Sequence, residues 1–426
     1  MLPPLVRGSL PLDTVRFTFD PDGYFAAIRR RYGDICTVRL LGQEWVLLAD
    51  PEAVKELFSY GPEQVDSGVA NQALKPALGD RNLLLLDGGE HLHRRRLVLP
   101  PFHGERMRAY EQTIRAAAAE QIARWPLGEP LAAGPRMQAL TFSVIVSCVF
   151  GVQEEERVAQ LGDALRDMVA WLTDMRRVLF FFMVGPERLE LVPSFRRQRE
   201  RVDREILAEI ERRRSLRDLE QREDILSMLV QAVDENGEHL TDSELRDELM
   251  TLLIAGHETT ATLLSWALHD LARDPASQER LATEGGAFSD AVVSETLRLH
   301  PPTGGVVRRL RQPLTIGGYD LPQGIDVLPV TLLVHRRADI YPRPWRFDPT
   351  RFLEDRPPAG AWFPFGGSVR RCIGAAFAQF EAKIVLEELL GALRFRAADR
   401  RPERTSRRAI VLVPSKGARV VAQRRC

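Results

Sequence analysis

The stretch that most constrains the fold runs from Thr241 to Arg273. Thr241-Asp242-Ser243-Glu244 has the pattern of a capping box, in which a hydroxyl and an acid three residues on each take up an otherwise unpaired backbone N–H. The helical pattern continues to Arg273, where Asp274-Pro275 stops it. That predicts a helix of roughly 32 residues, or 48 Å at the usual rise per residue, enough to cross a whole domain. Inside it lies Ala255-Gly256-His257-Glu258-Thr259-Thr260. Glycine in a helix costs up to about 1 kcal/mol relative to alanine, so its presence predicts a close approach by another group. The threonine hydroxyls can bond back to a preceding carbonyl and bend the helix. Taken alone, this is either an ordinary buried helix with a polar kink, or a groove where a carboxylate and a hydroxyl pass protons.

A second constraint is Phe365-Gly366-Gly367-Ser368-Val369-Arg370-Arg371-Cys372-Ile373-Gly374. Ile373 to Leu390 carries apolar residues at helical spacing, with Gly391 as a plausible cap, so Cys372 falls at a helix N-terminus behind two basic side chains. Positive charge and the helix dipole both favour thiolate over thiol. The glycines let the backbone approach something bulky and flat. Gly374, Ala375, Ala376 and Ala378 keep the first helical turn thin, which suits a metal macrocycle over the sulfur. A lone cysteine reads more simply as a buried structural thiol; the surrounding motif reverses that preference.

Composition excludes several classes. The 426 residues are 44% hydrophobic and 28% charged with no formal net charge, so nothing global points to nucleic acid or an anionic membrane. Cys36, Cys148, Cys372 and Cys426 are scattered, without a Cys-x-x-Cys pair, which fits a reducing compartment. The apolar runs Val144–Phe150 and Val178–Val184 are too short to span a bilayer, and the N-terminus lacks a signal-peptide pattern. A soluble, cytoplasmic protein is expected. No linker interrupts the helical patterns, so residues 1–426 are expected to form one mainly α domain with small β-sheets.

In chain order, Asp20–Arg31 reads as a helix, then Ile35–Leu41 and Glu44–Ala49 as strands about a Gly42-Gln43 turn, and Pro51–Ser59 as a helix. Gly61–Leu86 is irregular. Glu90 to Leu97 is basic, and His91 and Arg95 share one helical face. Alone, that is a solvated basic face or a phosphate patch; the alternative is two donors for the carboxylates of a buried ligand. Arg106–Trp125, Met137–Phe150, Glu155–Arg177 and Phe195–Arg214 are helical patterns, interrupted by Val178–Val184 with its run of phenylalanines. Ser289–Leu299 is a helix carrying Glu295 and Arg298, a spacing that most often gives a surface pair. Val306–Leu310 reads as a strand, Gly317-Gly318 as a hairpin turn, and Tyr341–Pro364 has no period.

These motifs, in this order, resemble the cytochrome P-450 family of haem-thiolate monooxygenases, soluble bacterial type, over nearly the whole chain. The family's cysteine loop has Phe, two spacers, Gly, a spacer, Arg, a spacer, Cys, a spacer and Gly. Phe365, Arg370, Cys372 and Gly374 match, and Ser368 stands where glycine is usual. The family's oxygen-binding motif matches from Ala255 to Thr260. The resemblance implies a P-450-like domain with the long central helix over the haem. It implies Cys372 as the iron ligand, with His91, Arg95, Arg308 (in preference to Arg309) and Arg370 on the haem propionates, and Gly374 beside the ring. Glu258 and Thr259 would deliver protons, and His257 would not bind iron. Glu295, Arg298 and Arg351 would form a buried structural group. Thr303–Val307 would border the substrate, and some of the phenylalanines in Val178–Val184 would either meet it or be plain core. His93, Arg94 and Arg96 could present positive charge to an acidic electron donor.

The activity implied is insertion of one oxygen atom from O2 into a C–H bond of a lipophilic small molecule such as a fatty acid, terpenoid or steroid-like compound. The cofactor implied is haem b. Electrons would come from NAD(P)H indirectly, through a separate ferredoxin or flavodoxin-type donor, since the chain has no dinucleotide fingerprint. A monomer without nucleic-acid partner or membrane anchor is expected. The alternatives are a peroxide-driven peroxygenase and a non-catalytic haem sensor of the same fold, both disfavoured by the intact Glu258-Thr259 pair, and a hydrolase using Cys372 as nucleophile with a histidine base.

Overall fold

The computed structural model describes residues 2–7, 10–40, 43–152, 155–174, 177, 185–354 and 356–425. The chain is mainly helical with small β-sheets. It packs as two compact units, the first made of Met1–Asp66, Ala118–Ala139 and Thr259–Cys426, the second of Ser67–Ala117 and Leu140–Glu258. None of the described helices is long and apolar enough to cross a membrane.

In the first unit a five-stranded sheet runs in the order Ile35–Leu40, Gln43–Leu48, Asp326–Pro329, Arg308–Leu310, Val65–Asp66. Gln43–Leu48 pairs in parallel with Asp326–Pro329, and the other neighbours are antiparallel. Successive side chains of a strand point to opposite faces. Val46 and Leu48 accordingly join Val54, Leu57, Leu310, Val327 and Phe363 on one side. Leu47 joins Phe25, Val38, Leu328 and Leu412 on the other. Helices Pro21–Tyr32 and Pro51–Ser59 cover these faces. Each starts with proline behind an aspartate: Asp20 accepts from the Gly23 N–H (3.0 Å) and Asp50 from the Ala53 N–H (2.9 Å). Strands Leu314–Ile316 and Tyr319–Leu321 pair about Gly317 (φ 57°) and Gly318 (φ 80°), the double positive φ that a two-residue hairpin demands.

The second unit is helical. Pro193–Arg214 packs along Glu155–Thr173. In its last turn Arg213 is buried and donates to Asp224 (2.5 Å), Ser227 (2.6 Å) and Glu209 (3.0 Å).

The long helix spans Asp242–Leu271. Its cap forms as the sequence requires: the Thr241 N–H donates to Glu244 Oε2 (3.0 Å), and the Glu244 N–H to Thr241 Oγ1 (3.3 Å). Three expectations need correction. The helix after Cys372 begins at Ala375 and ends at Ala392, so the cysteine precedes it and Gly391 lies inside it. The chain turns straight from that helix into strand Leu393–Ala397, leaving no room for a glycine cap. Gln43 belongs to a strand, and the rest of its turn, like Val178–Val184, lies outside the described residues. Gly61–Leu86 also holds short 3-10 and α segments at Val69–Leu74 and Lys75–Leu78.

Candidate active site

The cysteine loop is shaped by close packing. Gly366 has φ 68°. A Cβ on Gly367 would run into the Phe58 ring. The Cys372 N–H donates to the Phe365 carbonyl (2.9 Å) and closes the loop. Cys36 and Cys148 are buried, but Cys372 is exposed. A Cβ on Gly374 would meet nothing within 4 Å. An accessible thiol next to a bare helix start is a cradle that fits a flat ring over the sulfur.

Ser368 holds the loop in a left-handed conformation, φ 61°. A residue with a Cβ pays about 1 kcal/mol or more there, and the hydroxyl contact to the Tyr60 carbonyl is long at 3.4 Å. Ser368→Gly is therefore expected to raise stability by about 1 kcal/mol. Denaturant titration checks this; a lower midpoint would mean that the hydroxyl contact outweighs the strain.

Arg308 is buried and donates from Nη2 to the Gly367 carbonyl (3.2 Å), with its guanidinium 5.7 Å from the Phe58 ring centre. Arg309 makes two 2.7 Å bonds to Asp326. Arg308 thus lies against the loop, and Arg309 is held by Asp326. Arg370 is half-buried at the end of the turn Ser368–Arg370.

Behind the loop lies a fully buried ion pair. Arg298 bonds Glu295 at 2.6 and 2.8 Å, both side chains being sealed from solvent. Its Nη1 donates to the carbonyls of His335 and Pro344 (both 2.8 Å). Arg351 Nε lies 3.5 Å from Glu295, and the Asp348 N–H donates to the same carboxylate (2.9 Å). Burial pushes the Glu295 carboxyl up against the pull of Arg298. The surface-pair alternative is thus excluded. His335 escaped the sequence reading. Its Nε2 accepts from the Phe363 N–H (2.9 Å), tying the entrance of the loop to the strand–helix segment that also holds Arg298. Burial and the two neighbouring arginines push its pKa down to about 3, so the ring stays a neutral acceptor.

On the long helix, the group that approaches Gly256 closely is Ile145: a Cβ there would lie 3.0 Å from its Cδ1. His257 is buried, with Nδ1 3.0 Å from Thr141 Oγ1 and the Phe142 ring edge-on at 5.4 Å. Glu258 is buried as well. Ala255 is exposed in the middle of this buried helix, and Thr259, one turn on along the same face, is half-buried.

Helix Gly88–Val98 carries His91, buried, and Arg95, half-buried. Of its other cations, Arg94 departs from the expected donor-facing surface. Arg94 is buried and bonds Glu244 (2.5 Å), Glu248 (3.2 Å) and the Arg81 carbonyl (2.5 Å). His93 lies 3.5 Å from Asp234, and Arg96 3.4 Å from Glu235. Burial, only partly opposed by Arg94, pushes the Glu248 carboxyl from 4.5 up to about 7. The native state then holds the extra proton between those values, so stability falls as pH rises through that window, by at most about 1.4 kcal/mol per pH unit. Glu248→Gln is expected to remove that slope. Unfolding midpoints of both proteins between about pH 5 and 8 test it, and parallel profiles would contradict it.

Cys372, Arg308, Arg370 and Gly374 thus belong to the first unit together with Thr259, whereas His91, Arg95 and Glu258 belong to the second.

The family profile for cytochrome P-450 matches residues 16–422. The chain belongs to the cytochrome P-450 family. A Mycobacterium tuberculosis protein provisionally named cytochrome P-450 135B1 is 38% identical over 98% of this chain and 91% of its own length. Another from that organism, provisionally named cytochrome P-450 137, is 37% identical over 92% and 83%. The solved structure of retinoic acid-bound cyanobacterial CYP120A1 aligns with a TM-score of 0.86 at 25% identity, covering 100% of this P-450 and 99% of that chain. The fold and the enzyme class follow: this P-450 is a haem-dependent monooxygenase that uses O2. That removes the hydrolase alternative.

Proposed function

We propose that this P-450 inserts one oxygen atom from O2 into a C–H bond of a lipophilic small molecule, with electrons from a separate ferredoxin or flavodoxin-type protein in the cytoplasm. The observation that carries this reading is the cradle at the cysteine: an exposed Cys372, an unencumbered Gly374 and a buried Arg308 bonded to the same loop. Haem b, when bound, supplies the oxygen activation and C–H chemistry, favoured by a thiolate ligand. Cys372 is the residue to ligate it. Arg308, Arg370, His91 and Arg95 are the donors for its propionates, and Gly374 lets the ring lie close to the helix. Thr259 offers a half-buried hydroxyl on the long helix, and the adjacent Glu258 a carboxylate to pass protons to it. The lipophilic substrate class is supported by the family and by the retinoic acid in the CYP120A1 structure.

Turnover with NAD(P)H, a ferredoxin and its reductase under 18O2 tests the reading. One labelled oxygen atom in the product is expected. Turnover that needs no electron donor and takes its oxygen from added peroxide would favour the peroxygenase alternative.

A further inference from the structure

A cavity of about 420 Å³ lies between helix Pro21–Tyr32 and the segment from Leu332 to Trp345, both in the first unit. It falls within the size range of small-molecule sites, roughly 300–1,000 Å³. The helix turns Asp22, Ala26, Arg29 and Arg30 towards it, at the three- and four-residue spacing of one face. From the second segment Leu332, Leu333, Arg336 and Trp345 line it. Trp345 is 62% exposed, and the Arg336 guanidinium lies 4.6 Å from its ring centre.

The charges around the cavity describe its ligand. Arg336 holds Asp22 (2.6 Å) and also donates to the Leu299 carbonyl (2.7 Å). Asp34, a further lining residue, accepts from Arg29 Nε (2.5 Å) and from Arg337 (2.8 Å). Both carboxylates are thereby neutralised, which leaves nothing for a cationic ligand. Arg30 is exposed and forms no ion pair among the described residues, and the two Nη groups of Arg29 donate to none of them. One unopposed guanidinium suits a monoanion, while the nearby Asp22 and Asp34 repel a phosphate dianion. A flat, exposed indole beside two leucines suits an aryl group.

We propose that this cavity binds a small aromatic carboxylate, its carboxylate on Arg30 and the Nη groups of Arg29 and its ring against Trp345. None of the described residues of the cysteine loop lines the cavity, so this is a second site, and it does not depend on the monooxygenase reading.

Calorimetric titration of the haem-loaded protein with 2-naphthoate, followed in parallel by the Soret band, tests the site. Binding that leaves the Soret band unmoved is expected. Arg30→Met removes a charge-assisted hydrogen bond and should weaken that binding about tenfold. Trp345→Ala removes the aryl contact and should weaken it about as much. Arg30→Lys, which keeps the charge but not the fork, should fall between. Arg30 and Trp345 are both exposed, so the variants should fold as the unaltered protein does. Inorganic phosphate should not displace the naphthoate. The site is overturned if the unaltered protein binds no 2-naphthoate, if binding always moves the Soret band, or if either Arg30→Met or Trp345→Ala binds as tightly as the unaltered protein. Displacement by phosphate would overturn the ligand class.

Discussion

Replacing Arg298 by alanine is expected to destabilise the fold by about 3–5 kcal/mol, because removing one member of a buried ion pair leaves the other charge uncompensated. Both side chains of the Glu295–Arg298 pair are fully sealed. The same guanidinium also satisfies the carbonyls of His335 and Pro344, and these would lose their partner as well. That loss is a large part of the roughly 5–15 kcal/mol that typically separates folded from unfolded states. Because the Arg298 carbonyl contacts lie in the segment that His335 ties to Phe363, the variant should also retain little haem. Arg298→Lys should recover only part of the stability, since an ammonium cannot reproduce the planar fork. Chemical unfolding and haem content measure both effects. A loss below about 1 kcal/mol, the range of a surface pair, would contradict this role.

Thr259→Ala is expected to separate electron consumption from product. Removing a positioned proton donor costs about 10²–10⁴ in the step that needs it. NAD(P)H oxidation should continue while product per NAD(P)H falls steeply and peroxide accumulates. Thr259→Ser, which keeps the hydroxyl, should restore most of the coupling. Unchanged coupling in the alanine variant would remove Thr259 from proton delivery. The variant should fold normally, because Thr259 is half-buried on a face of the helix where Ala255 is exposed.

Features with a local cause could be read from the sequence. The capping box at Thr241, the double glycine at Gly317-Gly318 and the helix entered at Pro51 all formed where their short-range patterns placed them. The cysteine loop and the Ala255–Thr260 stretch were legible because each packs a whole chemical requirement into a few consecutive residues. What could not be read depends on partners distant in sequence. Arg94 looked like one more cation on a basic face, but its acids, Glu244 and Glu248, lie on the long helix. Gly256 announced a close approach, but only the fold shows that the approaching group is the Ile145 side chain. His335 sits in a short apolar stretch with no motif, and only the fold reveals that it bridges Arg298 and Phe363. Gly391 looked like a cap because glycine commonly ends helices, yet the following strand sets the end of this one.

The most direct test of the central claim is the absorption spectrum of the purified, reduced protein exposed to CO. A thiolate at Cys372 predicts a strongly red-shifted Soret band, lost in Cys372→Ser. A haem band without that shift, or a shift that survives the substitution, would contradict the assignment of Cys372 as the ligand.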